Sequence, residues 1–222
     1  MTLQATISTL NSAAMVHIST PSIMWSDCIK IAPSVPALLA VLLLLFPPVL
    51  LLAVLSAALL HELGHYAALR IMRGHVKQLT ITPLGAEMTV EGQLSYPKEM
   101  ALAAAGPAVN LLLAVLLSHL GARWELGYLF GGVHLVLGLF NLLPILPLDG
   151  GMLLWNTAAW CIEPYTADRV SAIVGLFAAM LLSGAALWML LCGGSPFLLI
   201  ATLGLLRVPL QQIGLVKPRQ TG

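Results

Sequence analysis

An apolar run from Val49 to Leu60 leads without a break into His61-Glu62-Leu63-Gly64-His65. Ionisable side chains at membrane depth are costly and are kept where they face a protein interior or a polar cavity, so this segment reads as a membrane helix that carries a functional site. Residues four apart share one face of a helix, which lets His61 and His65 direct ring nitrogens at a single metal ion. Glu62 lies about 100° around the helix, where its carboxylate can reach an activated water from the side. Two imidazoles and a carboxylate in this pattern point to zinc-assisted hydrolysis, in which zinc lowers the pKa of water and Glu62, the candidate catalytic base, takes the proton.

Composition supports the membrane setting. Of the 222 residues 59% are hydrophobic and 9% charged, and the mean hydropathy is +0.95. A water-soluble domain of this size could not cover its surface with so few polar groups. The net charge is +1 with the basic residues spread between segments, which argues against a nucleic-acid surface. Cys28, Cys161 and Cys192 are too scattered for a disulfide framework or a thiolate zinc site and are read as small buried residues. Residues 1–28 hold no Lys or Arg and no apolar core with a cleavage site, so they read as an N-terminal arm rather than a secretory signal. Met24, where the pattern of the remaining chain begins, is an alternative start to Met1.

The expected fold class is an all-α polytopic membrane protein with about six transmembrane helices. Their expected limits are 29–46, 49–72, 100–120, 126–146, 170–191 and 196–210, with Pro47-Pro48 as the tight connection between the first two. Between the second and third spans, Val76 to Thr82 and Ala86 to Val90 are short, partly alternating and separated by Pro83-Leu84-Gly85. This predicts a small membrane-associated β-hairpin over 76–90. Backbone without helical pairing cannot face lipid, so the segment is either a clamp whose free edge pairs with an extended substrate or an ordinary surface loop. The expected organisation is an arm at 1–28, a core at 29–165 containing four spans and the hairpin, and two further spans with a short cytoplasmic tail at 166–222. If both termini are cytoplasmic, Lys30, Arg70, Arg73, Lys77, Lys98, Arg169, Arg207, Lys217 and Arg219 fall inside and Arg123 outside. That bias is the one expected of a multi-pass membrane protein in this orientation.

A catalytic zinc takes three protein ligands and keeps one position open, so a third donor must come from elsewhere in the chain. In Asn141-Leu142-Leu143-Pro144-Ile145-Leu146-Pro147-Leu148-Asp149-Gly150-Gly151, two prolines break a helix while the chain is still apolar, and the glycines free the backbone after Asp149. Unwound backbone at membrane depth lines sites and cavities. Asp149, at the same cytoplasmic end as His61 and His65, is therefore the expected third ligand. Glu163 and Asp168 fall in a more polar stretch, His75 is expected exposed, and His119 and His134 are placed towards the outer side as helix-packing residues. Asn141 and Pro144, at the break, are candidate substrate-binding positions. For Asn141 a substrate contact and a helix–helix hydrogen bond are both open. Ala103 to Asn110 opens the third span with small residues suited to close packing, and Asn110 reads either as a hydrogen bond between helices or as part of a packed pair.

HELGH at 61–65, AAGPAVN at 104–110 and NLLPILPLDGG at 141–151 together resemble the site-2 protease family of intramembrane zinc metalloproteases. The resemblance covers roughly 24–165 and implies that His61, His65 and Asp149 bind Zn(2+), that Glu62 is the catalytic base, and that Asn141 contacts substrate near the metal. Within the family the chain looks most like the stage IV sporulation proteases of endospore-forming bacteria. That likeness implies a membrane-associated pro-sigma factor as substrate and membrane inhibitor or regulatory proteins as partners; an anti-sigma factor is an alternative substrate. Many relatives of this kind carry a nucleotide-sensing CBS domain, which is not expected here. A membrane zinc transporter or metal sensor could also use intramembrane His and Asp, but it has no need of Glu62. The orientation is open to test: with the native cysteines replaced by serine, a cysteine at Arg123 should react with an impermeant maleimide added to intact cells. Reaction only after lysis would reverse the assignment.

Overall fold

Proline sets the punctuation of this chain. Pro47, in extended backbone, separates α1 (Ser34–Leu45) from α2 (Pro48–Ile71), which opens on Pro48, where the missing N–H would have no helical partner in any case. Pro164 opens another helix in the same way. The computed structural model describes residues 29–82, 85–121, 125–194 and 196–213, without the side chains of 29, 38, 82, 85–87 and 197. The arm at 1–28 with Met24 and Cys28, the turn at Pro83-Leu84, Arg123 and the tail from 214 lie outside these residues.

After α2 come β2 (Val76–Thr82) and β3 (Gly85–Val90), α3 (Tyr96–Gly121), α4 (Glu125–Asn141), α5 (Asp149–Cys161), α6 (Pro164–Leu191), α7 (Phe197–Leu205) and α8 (Arg207–Gln212). Three of these, α2, α3 and α6, are long and apolar enough to cross a membrane; each exceeds the roughly 20 residues that a hydrocarbon layer requires. The protein is a predominantly helical membrane protein with one small sheet.

The hairpin over 76–90 forms, with Leu79 opposite Met88 and Thr82 opposite Gly85. It also gains a strand that the sequence reading assigned to the first span. Ile29–Ile31 is β1, parallel to β2, with Ile29 beside Leu79 and Ile31 beside Ile81. Hydropathy alone had extended the first helix over this Ile-Lys-Ile alternation, which suits a strand better. β2 is thus the centre of the sheet, in the order β1-β2-β3. The outer edges belong to β1 and β3.

Two further differences have local causes. The expected fourth span, 126–146, stops as a helix at Asn141, and a separate helix, α5, begins at Asp149. Asp-Gly-Gly is a poor interior helix sequence, which hid a helix that begins on those very residues. The expected last span, 196–210, is two short helices, α7 and α8. Cys161 and Cys192 are exposed, not buried; they stand at the C-terminal ends of α5 and α6, where the chain leaves its packed face.

α3 is the centre of the bundle, packed against α4, α2 and α5, while α6 holds α5 on one side and α7 and α8 on the other. The packed faces are lined with small residues. On α6 they are Ala167, Ser171, Gly175, Ala179, Ser183 and Ala186, and on α4 Gly127, Gly131 and Gly138 with His134. Large apolar side chains such as Leu44, Ile71, Val136 and Leu191 point outward, as lipid allows. A Cβ at Gly131 would meet the backbone of α3, 3.2 Å from Ala114 O and from Ser118 N, whereas at Gly132 it would meet nothing within 4 Å. Gly131→Val should therefore lower the melting temperature of the detergent-solubilised protein, with a cost on the order of 1–3 kcal/mol. Gly132→Val should leave it nearly unchanged, and equal behaviour of the two variants would contradict this packing.

Candidate metal centre

His61 and His65 face α3 because α2 and α3 approach closely at two glycines. A Cβ at Gly64 would lie 2.9 Å from Ala105 O, and one at Gly106 would lie 2.8 Å from His61 Nε2 and collide with His65 Nε2. Gly106 thus leaves the space that both imidazoles fill. The rings meet edge to face with centroids 4.7 Å apart. Each is held from behind by α3: His65 Nδ1 lies 2.8 Å from Leu102 O, and His61 Nδ1 lies 3.1 Å from Asn110 Nδ2. Leu102, Gly106 and Asn110 are spaced by four and form one stripe of the helix. The motif AAGPAVN supplies two members of that stripe, the missing side chain at Gly106 and the Asn110 amide, and Leu102, two residues before the motif, supplies the backbone carbonyl.

Asp149 reaches the rings from the other side. It is the first residue of α5, a position that favours a carboxylate through the dipole of the helix. The chain between Asn141 and Asp149 folds tightly beneath that first turn, with Leu148 N–H donating to Ile145 O at 2.8 Å and Met152 N–H donating to Leu148 O at 3.0 Å. Gly150 and Gly151 permit this. A Cβ on Gly150 would overlap Leu142 O, and one on Gly151 would lie 2.5 Å from the backbone of Ile145.

The three side chains converge. His61 Nε2 is 3.1 Å from His65 Nε2 and 2.9 Å from Asp149 Oδ2, and His65 Nε2 is 3.4 Å from Asp149 Oδ1. Asp149 Oδ2 is buried, faces the His61 ring and has no assigned hydrogen-bond donor. Three ligand atoms around a tetrahedral zinc, each about 2.0–2.2 Å from it, stand about 3.3–3.6 Å from one another. The observed separations lie at or a few tenths of an ångström below that range, and two imidazoles with one carboxylate are a donor set that zinc accepts. Among the described residues this is the one group of three His, Cys, Asp or Glu side chains close enough to hold a metal ion. The residues fit the cofactor.

The remaining candidates are distributed as follows. Glu62 is half-buried on the same helix. Asn141 ends α4 and its amide donates to Leu137 O, one turn back on its own helix, at 3.1 Å. Pro144 lies in the break, its carbonyl 3.2 Å from where a Cβ on Gly175 of α6 would stand. His75 and His119 are exposed. Asp168 belongs to α6 rather than to a loop and accepts a hydrogen bond from Trp155 Nε1 at 2.6 Å. His134 is a helix-packing residue as expected, but its place differs: rather than lying towards the outer side away from the motif, it is buried, with Nδ1 3.0 Å from Asn110 Oδ1, and so stands one residue behind His61. Two signals pointed there. Gly127, Gly131, His134 and Gly138 recur at helical spacing, which marks a packed face. Positions 110 and 134 are also equidistant from 122, as cross-helix neighbours in an antiparallel helical hairpin are.

Comparison with known proteins agrees with this geometry. No family model matches the chain. A protein of Synechocystis described as a candidate zinc metalloprotease is 36% identical over 111 residues, 46% of this chain and 29% of that protein. Stage IV sporulation protein FB of Bacillus subtilis is 35% identical over 111 residues, 47% of this chain and 38% of that protein. The matched stretch thus spans well under half of either relative. Among solved structures, the site-2 protease from Methanocaldococcus jannaschii shares the fold, with a TM-score of 0.61 and 22% identity over 87% of this chain and 94% of that one. The chain thus shares its fold with a site-2 protease, is similar over the matched stretch to proteins described as zinc metalloproteases, and carries a donor cluster that could hold a metal ion.

The cradle at Gly106 gives the first test. Gly106→Ala puts a methyl group where the imidazoles stand, so stoichiometric zinc in the purified protein should fall by about tenfold or more, while Ala108→Gly, on the exposed side of α3, should retain it. Metal analysis of the two variants checks this, and full zinc in Gly106→Ala would contradict the cradle.

Proposed function

We propose that this chain is an intramembrane zinc metalloendopeptidase that hydrolyses peptide bonds of membrane-associated proteins near the cytoplasmic leaflet. The observation that carries the reading is the convergence of His61, His65 and Asp149, with a buried Asp149 oxygen that faces the His61 ring and has no assigned hydrogen-bond donor. A zinc ion bound by these three residues supplies a Lewis acid that lowers the pKa of water and polarises the scissile carbonyl. Glu62, one residue on from His61, accepts the proton of the attacking water and passes it to the leaving amine. Asn141 turns its amide from Leu137 O towards the substrate backbone, and Pro144, in the helix break beside it, is a further substrate contact. A helical substrate hides its carbonyls in its own hydrogen bonds, so the cleaved segment must be extended. The outer edges of β1 and β3 are where such a segment could add as a further strand.

In this reading the chain crosses a bacterial membrane six times with both termini in the cytoplasm, which agrees with its distribution of Lys and Arg. The narrower substrate is a sporulation pro-sigma factor, with membrane regulatory proteins as partners. The similarity to stage IV sporulation protein FB is the support for that assignment. The decisive experiment is co-expression with a membrane-tethered substrate. Glu62→Gln should keep its zinc yet lose cleavage by on the order of 10² to 10⁴-fold, whereas His61→Ala and Asp149→Ala should lose both. Unchanged cleavage by Glu62→Gln would remove the hydrolase assignment.

A further inference from the structure

Asn110 and His134 have no place in the hydrolysis just described, yet they are 0% and 1% exposed at the centre of the bundle. They form a chain of hydrogen bonds that ends on the metal centre: His134 Nδ1 to Asn110 Oδ1 at 3.0 Å, then Asn110 Nδ2 to His61 Nδ1 at 3.1 Å. Room for Asn110 comes from Gly138, where a Cβ would stand 3.2 Å from the Asn110 Cβ.

A neutral imidazole carries one hydrogen, so each bond in the chain constrains the next. With the amide oriented as above, Nδ2 donates to His61 Nδ1, which puts the His61 hydrogen on Nε2. That nitrogen faces His65 and Asp149, and in this form it has no lone pair for a metal. A ligating His61 requires the reverse, with Nδ1–H donating and Nε2 bare. The amide must then present Oδ1 to His61 and its NH2 to His134, whose Nδ1 accepts and whose hydrogen moves to Nε2. Rotating the amide keeps both contacts, because its oxygen and nitrogen exchange places. His65 has no such freedom: its Nδ1 faces Leu102 O, which can only accept, so its Nε2 is always the bare nitrogen.

We propose that His134 is a positioning residue of the metal centre: acting through Asn110, it holds His61 in the tautomer whose Nε2 can bind the metal. The proposal rests on His61, His65 and Asp149 forming a zinc site. Without an acceptor at position 134, the ligating arrangement leaves the Asn110 NH2 buried and unpaired. The non-ligating arrangement leaves only an amide oxygen unpaired, which proteins tolerate better. Loss of the His134 acceptor therefore biases His61 away from the metal.

The test is zinc affinity of the full chain in detergent, measured by competition with a chromophoric chelator for wild type, His134→Phe and His134→Gln. The phenylalanine ring keeps the bulk and removes the acceptor, so affinity should fall about 10- to 100-fold, the range for residues that support a metal ligand. Glutamine offers an amide oxygen in its place and should recover most of the loss. Wild-type affinity in His134→Phe, or equal loss in both variants, overturns the proposal while leaving the zinc site intact. A folded wild type that binds no zinc overturns the metal site itself. Nitrogen-15 NMR of histidine-labelled wild type needs no substitution: the His134 hydrogen should sit on Nδ1 without zinc and on Nε2 with it. An unchanged tautomer overturns the proposal.

Discussion

The close approach of α2 and α3 at Gly64 and Gly106 is the contact on which the rest of this structure depends. In a bilayer, helices gain little from burying leucine against leucine, since lipid offers the same surroundings; close packing and polar contacts must hold them together. Here the two coincide. Two absent side chains bring the backbones together, and the space opened at Gly106 is filled by the rings of His61 and His65. Leu102 O and Asn110 then hold the outer nitrogens of those rings, so the polar groups that lipid would penalise are paired inside the bundle.

Asp149 completes the arrangement from a different part of the chain and by a different device. A helix end inside an apolar layer leaves backbone groups unpaired. The break between α4 and α5 answers this with short hydrogen bonds among Leu143, Ile145 and Leu148, packed so tightly that Gly150 and Gly151 cannot carry a Cβ. The same packing fixes the first turn of α5, and with it the carboxylate. Helix break, glycine pair and carboxylate form one unit, which explains why the three occur together in the sequence.

Much of the site was legible because its constraints are local. The HELGH spacing places two imidazoles on one helical face whatever the surroundings, and the Pro-Leu-Asp-Gly-Gly run carries its own break. Gly106 and Asn110 were visible as a close-packing motif with a hydrogen bond between helices as one reading of Asn110, though the groups they meet were not. Two of the misreadings, those of Ile29–Ile31 and His134, concern residues whose role is set by a partner far away in sequence. Ile29–Ile31 is a strand because β2 lies beside it, and hydropathy, a sum along the chain, has no term for that neighbour. Cys161 and Cys192 are exposed because their helices end there, and His134 is buried because α4 folds back along α3.

By itself the sequence determined the membrane setting, the long spans, the hairpin and which three side chains, His61, His65 and Asp149, converge, since hydropathy, proline position and helical period act within one element. Only the tertiary structure decided that β2 would be the covered centre of its sheet, that Leu102 and Asn110 would hold the imidazoles, and that His134 would stand behind His61. Those outcomes depend on distances between elements. Such distances follow from how side chains, and the absence of side chains at glycine, fit across a helix interface, which no pattern within a single segment contains.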